Sequence, residues 1–181
     1  MSHSLQQSAQ IIASAFNRPS LAVFNQVRGL QQRGRLAAIG GSYDRKLTSY
    51  EVVLAAVLTE ALAQGVTSRD LATLESTLRS GRNVVSFETG YYSISLEACL
   101  PRIAAGERWL IEVTRRFDAE TGDMRSWPIW ARAEPDGRIS RFGAELYPDP
   151  LLDDREETFS VLTINVAFIA RRLAPLLDAG Q

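Results

Sequence analysis

The chain has 181 residues, 45% of them hydrophobic, with 20 basic and 21 acidic side chains and a net charge of −1. That length suits one large or two small domains, and the apolar content is enough to bury a core. No apolar run reaches the roughly 18 residues of a membrane span, and Met1 to Gln10 lack the charged start and apolar centre of a signal peptide, so a soluble, cytoplasmic protein is expected. Cys99 is the single cysteine and cannot form an internal disulfide; it reads as a small buried apolar residue. The single histidine, His3, lies near a terminus expected to be mobile. One Cys and one His exclude a zinc site built from them, a Ser-His triad and a Cys-His pair, so no metal, cofactor or catalysis is expected.

Ala13, Phe16, Pro19, Val23 and Val27 follow one another at spacings of three, three, four and four, which predicts two short helices meeting across a tight turn. Asn17 suits that turn because Asn tolerates left-handed dihedrals, and Pro19-Ser20 is expected to end it, with the Ser20 hydroxyl capping a helix from about Leu21. Val23, Val27 and Leu30 form the inward face of this second helix. Leu21, Ala22, Phe24, Asn25 and Arg28 are left on or near the outer face, where a recognition helix presents groups to a major groove. The Asn25 amide can pair with adenine, and Phe24 can touch a thymine methyl or pack inward.

Residues 31–46 follow as a basic, Gly-containing stretch in which Gly40-Gly41 can turn a hairpin, read here as a wing. From Arg18 to Lys46 there are six basic residues (Arg18, Arg28, Arg33, Arg35, Arg45, Lys46) and one acid, Asp44, a balance suited to phosphate contacts. Leu47-Thr48-Ser49-Tyr50-Glu51 then opens a third helix with a hydroxyl cap and an early acid, and Gly65 stops it. Thr67 or Ser68 is expected to start a fourth helix that places Leu71, Leu74 and Leu78 over the core.

Residues 9 to 79 resemble the DNA-binding domain of the MerR family, and more closely the MerR-like helix-turn-helix regulators common in bacteria and their phages. The resemblance rests on Ala13-x-x-Phe16, on Val23 to Val27, on Tyr43-x-Arg45-x-Leu47-Thr48-x-x-Glu51-Val52, and on Leu62-Ala63-Gln64-Gly65-Val66-Thr67. It implies that the second helix enters the major groove and that a wing with its Tyr and Arg grips the backbone. Carried onto this chain, the candidates are Asn25 and Arg28 on the helix and Arg35, Tyr43 and Arg45 at the wing. The chain departs from the family in having no long heptad helix directly after residue 79 and no cysteine cluster for a metal effector.

Residues 1–82 carry nine basic and five acidic side chains, a net of +4, and residues 83–181 carry eleven and sixteen, a net of −5. The asymmetry predicts two functional halves divided near Ser80-Gly81-Arg82-Asn83, with the acidic half away from DNA. In that half, Val84 to Phe87, Tyr91 to Leu96 and Trp109 to Thr114 read as strands, and Glu97 to Ala105 as a short helix. Pro128 to Ala133 and Ile139 to Phe142 read as a hairpin turned by Asp136-Gly137. Phe159, Leu162, Val166, Ile169, Leu173 and Leu176 keep a heptad spacing, but β-branched residues crowd Ser160 to Val166. A strand turning into a helix over about Ala167 to Leu177 is therefore preferred to one long helix. Glu112, Asp118, Glu120 and Asp123 can in principle hold Mg²⁺ but read as a solvated turn, and Trp109, Trp127 and Trp130 with Tyr91 and Tyr92 read as core before pocket.

The expectation is an α+β protein: an N-terminal helical winged helix-turn-helix (1–82) followed by a small mixed α/β domain (83–181). The expected function is a sequence-specific transcriptional regulator that binds double-stranded DNA through Arg18, Ser20, Leu21, Ala22, Phe24, Asn25, Arg28, Arg33, Arg35, Tyr43, Arg45 and Lys46. It would dimerise through its second half, which can also receive a protein or small-molecule effector. The rival expectations are a phage-type packaging or excisionase-like architectural protein, and a protein-interaction module that does not bind DNA.

Overall fold

The computed structural model describes residues 1–41, 45–80, 82–86, 90–118, 122, 124–142 and 156–179. The protein is α+β. It opens with strand β1 (Ser2–Ser4), helices α1 (Leu5–Phe16) and α2 (Ser20–Gln32), strands β2 (Ala38–Ile39) and β3 (Lys46–Thr48), and helices α3 (Ser49–Ala63) and α4 (Leu71–Ser80). It continues with β4 (Arg82–Ser86), β5 (Gly90–Ile94), α5 (Leu96–Ala104), β6 (Arg108–Asp118), β7 (Met124–Ala133), β8 (Ile139–Phe142), β9 (Glu156–Ile164) and α6 (Val166–Asp178). All the strand pairings among the described residues are antiparallel, in sheets ordered β1-β3-β2, β4-β5 and β8-β7-β6-β9.

Local sequence accounts for most element ends. Ser4 and Gln7 form a capping box at α1, and Asn17 closes the helix at φ 51°. The following helix starts one residue earlier than expected: Pro19 is its cap, Ser20 lies inside it, and no side chain caps its N-terminus. The hydroxyl cap expected of Ser20 is therefore not made, and Pro19 contributes only a φ already set for the turn into the helix. Thr48 Oγ1 accepts the Glu51 N–H at 3.2 Å and starts α3. Thr67 begins a turn rather than a helix, accepting the Asp70 N–H at 3.3 Å and donating to the Asp70 carboxylate at 2.8 Å, and α4 follows from Leu71. At the Asp136-Gly137 turn, Gly137 adopts φ 87° and Glu134 N–H bonds the Arg138 carbonyl at 2.8 Å. Asn165 caps α6, so the chain changes from strand to helix across that one residue.

Packing follows from α3, in which every residue from Glu51 to Thr59 is buried. A helix apolar on all sides belongs inside, and α3 packs against α2, α4, α6 and β9. His3, expected at a mobile end, is instead 5% exposed in β1 opposite Leu47, and desolvation there lowers its pKa.

The residues on either side of position 82 share one hydrophobic cluster. The final helix packs on α1, α3 and β6, and α4 packs on β7. Trp130 Nε1 donates to the Thr77 carbonyl at 3.2 Å, and Arg172 Nε donates to the Ala15 carbonyl at 2.9 Å, satisfying an open acceptor at the end of α1. Trp109 and Trp130 are fully buried and meet edge to face at 6.0 Å, so these two rings are core.

Candidate nucleic-acid interface

The sheet β1-β3-β2 packs against α1 and α3, and α3 begins directly at the end of β3. Val23, Val27 and Leu30 anchor α2 in the core. The opposite side leaves Ser20, Leu21, Ala22, Asn25, Arg28 and Gln32 exposed, and α2 contains no acidic residue. Leu21 is 72% exposed, and Ile39 on β2 is 58% exposed.

The other expected site residues divide by their partners. Phe24 is half-buried and packs against the core, which removes it from the outer face. Arg18 forms an ion pair with Glu60 of α3 at 2.5 Å, and its guanidinium lies 6.0 Å from the Phe16 ring centre. Arg35 pairs with Glu75 at 3.3 Å, and Arg45 donates to Gln31 Oε1 at 2.7 Å. The acceptors are surface or half-buried groups of α2, α3 and α4 that the spacing of the arginines does not reveal. Arg33 is exposed and makes a long 3.4 Å contact with Ser68, and Arg28 is exposed on α2. Lys46 is half-buried in β3, and Tyr43 lies outside the described residues.

A buried ionic cluster fixes the chain between α2 and β2. Glu51 is 5% exposed and receives Arg79 Nη1 at 2.6 Å, Arg79 Nη2 at 2.8 Å and the Ala37 N–H at 3.0 Å. Arg79 also donates from Nη2 to the Arg35 carbonyl at 3.0 Å and from Nε to Glu75 at 2.9 Å. Its pKa rises further, mainly through the hydrogen bonds to Glu51. Residues 35–37, which lead into β2, are thereby tied to α3 and α4. Glu51 was legible only as an early acid of a helix; the partner 28 residues away was not.

Among the described residues of the acidic half, the acids singled out in the sequence are not brought together. Glu112 is buried and taken up by Arg141 in a two-pronged pair at 2.6 and 3.1 Å, while Glu120 and Asp123 lie outside the described residues, as does the side chain of Asp118. Among the described residues no group of three His, Cys, Asp or Glu is placed to hold a metal ion, and no helix is long and apolar enough to cross a membrane. An open cleft of about 580 Å³ lies between residues 105–108 and 132–135, but its charges are taken up: Arg132 pairs with Glu107 across it at 3.8 Å and with Glu134 beside it, and Glu107 also pairs with Arg102. Burial pushes the Cys99 thiol up to about 12. A thiol reagent at about pH 8 is therefore expected to leave the folded protein unmodified and to modify one thiol per chain after unfolding; fast native-state modification would contradict this placement.

No protein-family model matches the sequence, and no curated protein matches it.

Proposed function

We propose that the protein is a sequence-specific, MerR-like regulator that binds double-stranded DNA in the cytoplasm, with α2 in the major groove and the β2–β3 arm against the backbone. One observation carries the reading: an acid-free helix face bearing Asn25 and Arg28 is exposed on α2, and α2 leads along the chain into a small antiparallel sheet, in the element order of a winged helix-turn-helix. The internal pairing of Arg18, Arg35 and Arg45 narrows the backbone contacts to Arg28 and Arg33 with the β2–β3 arm. Because so few phosphate contacts bind DNA weakly, a homodimer formed through residues 83–181 belongs to the proposal.

Selection of the full chain against a random DNA library, followed by a salt titration on the enriched site, tests the reading. Arg28→Ala and Arg33→Ala are expected to weaken binding to every sequence alike and each to lower the salt slope by about 1. Asn25→Ala is expected to cost about 1–3 kcal/mol at the preferred site alone. Equal losses on random and preferred DNA would remove Asn25 from the reading surface.

Exposure of Leu21 and Ile39, together with the internally paired arginines, favours a protein-binding face as the second reading. It requires that the library yield no enriched site and that residual DNA binding not depend on Arg28 or Arg33.

A further inference from the structure

We propose that Leu21 reads the methyl group of a thymine and Asn25 the adenine of a pair within two base steps, so that A·T pairs lie opposite the first two turns of α2. This rests on the DNA-binding reading above and adds to it the class of sequence recognised.

Leu21, Asn25 and Arg28 stand at i, i+4 and i+7 on α2 and all three are exposed, so they form one stripe whose neighbouring Cβ atoms are about 5–6 Å apart. Leu21 lies in the first turn, the part of a recognition helix that reaches base edges, and Ala22 beside it is small enough to let the helix approach closely. Leu21 is the most exposed large apolar side chain among the described residues, and Phe24, the other apolar candidate on this helix, is packed against the core.

The chemistry of the major groove then limits what each position can read. A leucine has no donor or acceptor, and the one apolar group on the groove edge is the thymine C5 methyl. The Asn25 amide matches the N7 acceptor and N6 donor of adenine. Cytosine, which offers an N4 donor, is read by a carboxylate, and α2 carries none. Arg28, at the far end of the stripe, meets a phosphate, which carries no sequence information. The stripe therefore favours A·T pairs at its N-terminal end by what it contains.

Single-atom changes in the DNA test this with the full chain. On the site the wild type enriches, each thymine is replaced in turn by deoxyuridine, which lacks only the methyl, and each adenine by 7-deazaadenine, which lacks only N7. One thymine is expected at which deoxyuridine weakens the wild type about three- to fivefold, the effect of one buried methyl, and leaves Leu21→Ala unchanged. One adenine within two base steps is expected at which the deaza base costs the wild type about tenfold and Asn25→Ala nothing. An enriched site without such a thymine, or an L21A variant that still senses the methyl, overturns the inference and leaves DNA binding standing. Failure of the wild type to enrich any site overturns the DNA-binding reading itself. Both side chains are exposed, and a far-ultraviolet spectrum checks that the variants fold.

Discussion

Replacing Arg79 with Ala is expected to lower stability by about 3 kcal/mol, because it leaves the Glu51 carboxylate buried without its countercharge. The Glu51 side chain is 5% exposed and both its oxygens receive Arg79, so little solvent reaches the carboxylate to replace the guanidinium. Arg79 is itself 29% exposed, which keeps the loss at the lower end of the range for broken buried pairs, about 3–5 kcal/mol. For a chain of this size such a loss lowers the melting temperature by about 6–12 °C, measurable by thermal unfolding. Arg79→Lys keeps a cation but not the fork that reaches Glu51, Glu75 and the Arg35 carbonyl together, so it is expected to recover only part of the loss. Arg79→Ala combined with Glu51→Ala is expected to be less damaging than the sum of the two, since the double variant leaves no buried charge unpaired. An unchanged melting temperature for Arg79→Ala would show that the cluster does not hold the molecule together.

The cluster also marks where sequence reading stopped. Features governed by nearest neighbours were legible: the Asn17 turn, the hydroxyl cap of the third helix, which is Thr48, the Asp136-Gly137 turn, and a change from strand to helix, expected near Ala167 and found at Asn165. Each depends on backbone preferences and hydrogen bonds that reach only a few residues. The fate of the arginines did not depend on neighbours. Arg18 meets an acid 42 residues away, Arg35 one 40 residues away and Arg45 an amide 14 residues back, so a count of basic residues overstated the charge left for phosphate. Phe24 was open between two faces because position 24 lies at the border of the apolar stripe, and tertiary packing decided it. The continuous burial of α3, by contrast, is written in its own residues: Val52 to Leu58 has no polar face, the mark of a helix surrounded on all sides. Of the candidate interface, Leu21, Ala22, Asn25 and Arg28 were legible because helical period alone places them opposite Val23, Val27 and Leu30.

Trp130→Ala is expected to cost about 4 kcal/mol and to destabilise both halves of the chain together. Trp130 is 1% exposed, and removing so large a buried side chain leaves a cavity that costs about 3–5 kcal/mol. Its ring packs on Trp109, while its Nε1 donates to the Thr77 carbonyl of α4, so one residue of β7 is tied to a helix on the far side of residue 82. Deleting it leaves that carbonyl to find water or remain open. If the two segments were held only by the chain between them, the loss would stay in the strands and the first four helices would keep their stability. The shared core and the Arg172 bond to the Ala15 carbonyl argue for coupling instead. Amide exchange resolves the alternatives: in Trp130→Ala the most protected amides of α3, far along the chain from the substitution, are expected to lose protection by the same free energy as those of β6. Tryptophan fluorescence and far-ultraviolet signal are expected to report one unfolding transition at one midpoint. Retention of wild-type protection in α3 alongside loosened β6 amides would show two independently stable units, and would place the dependence of α2 on the acidic half in assembly and not in folding.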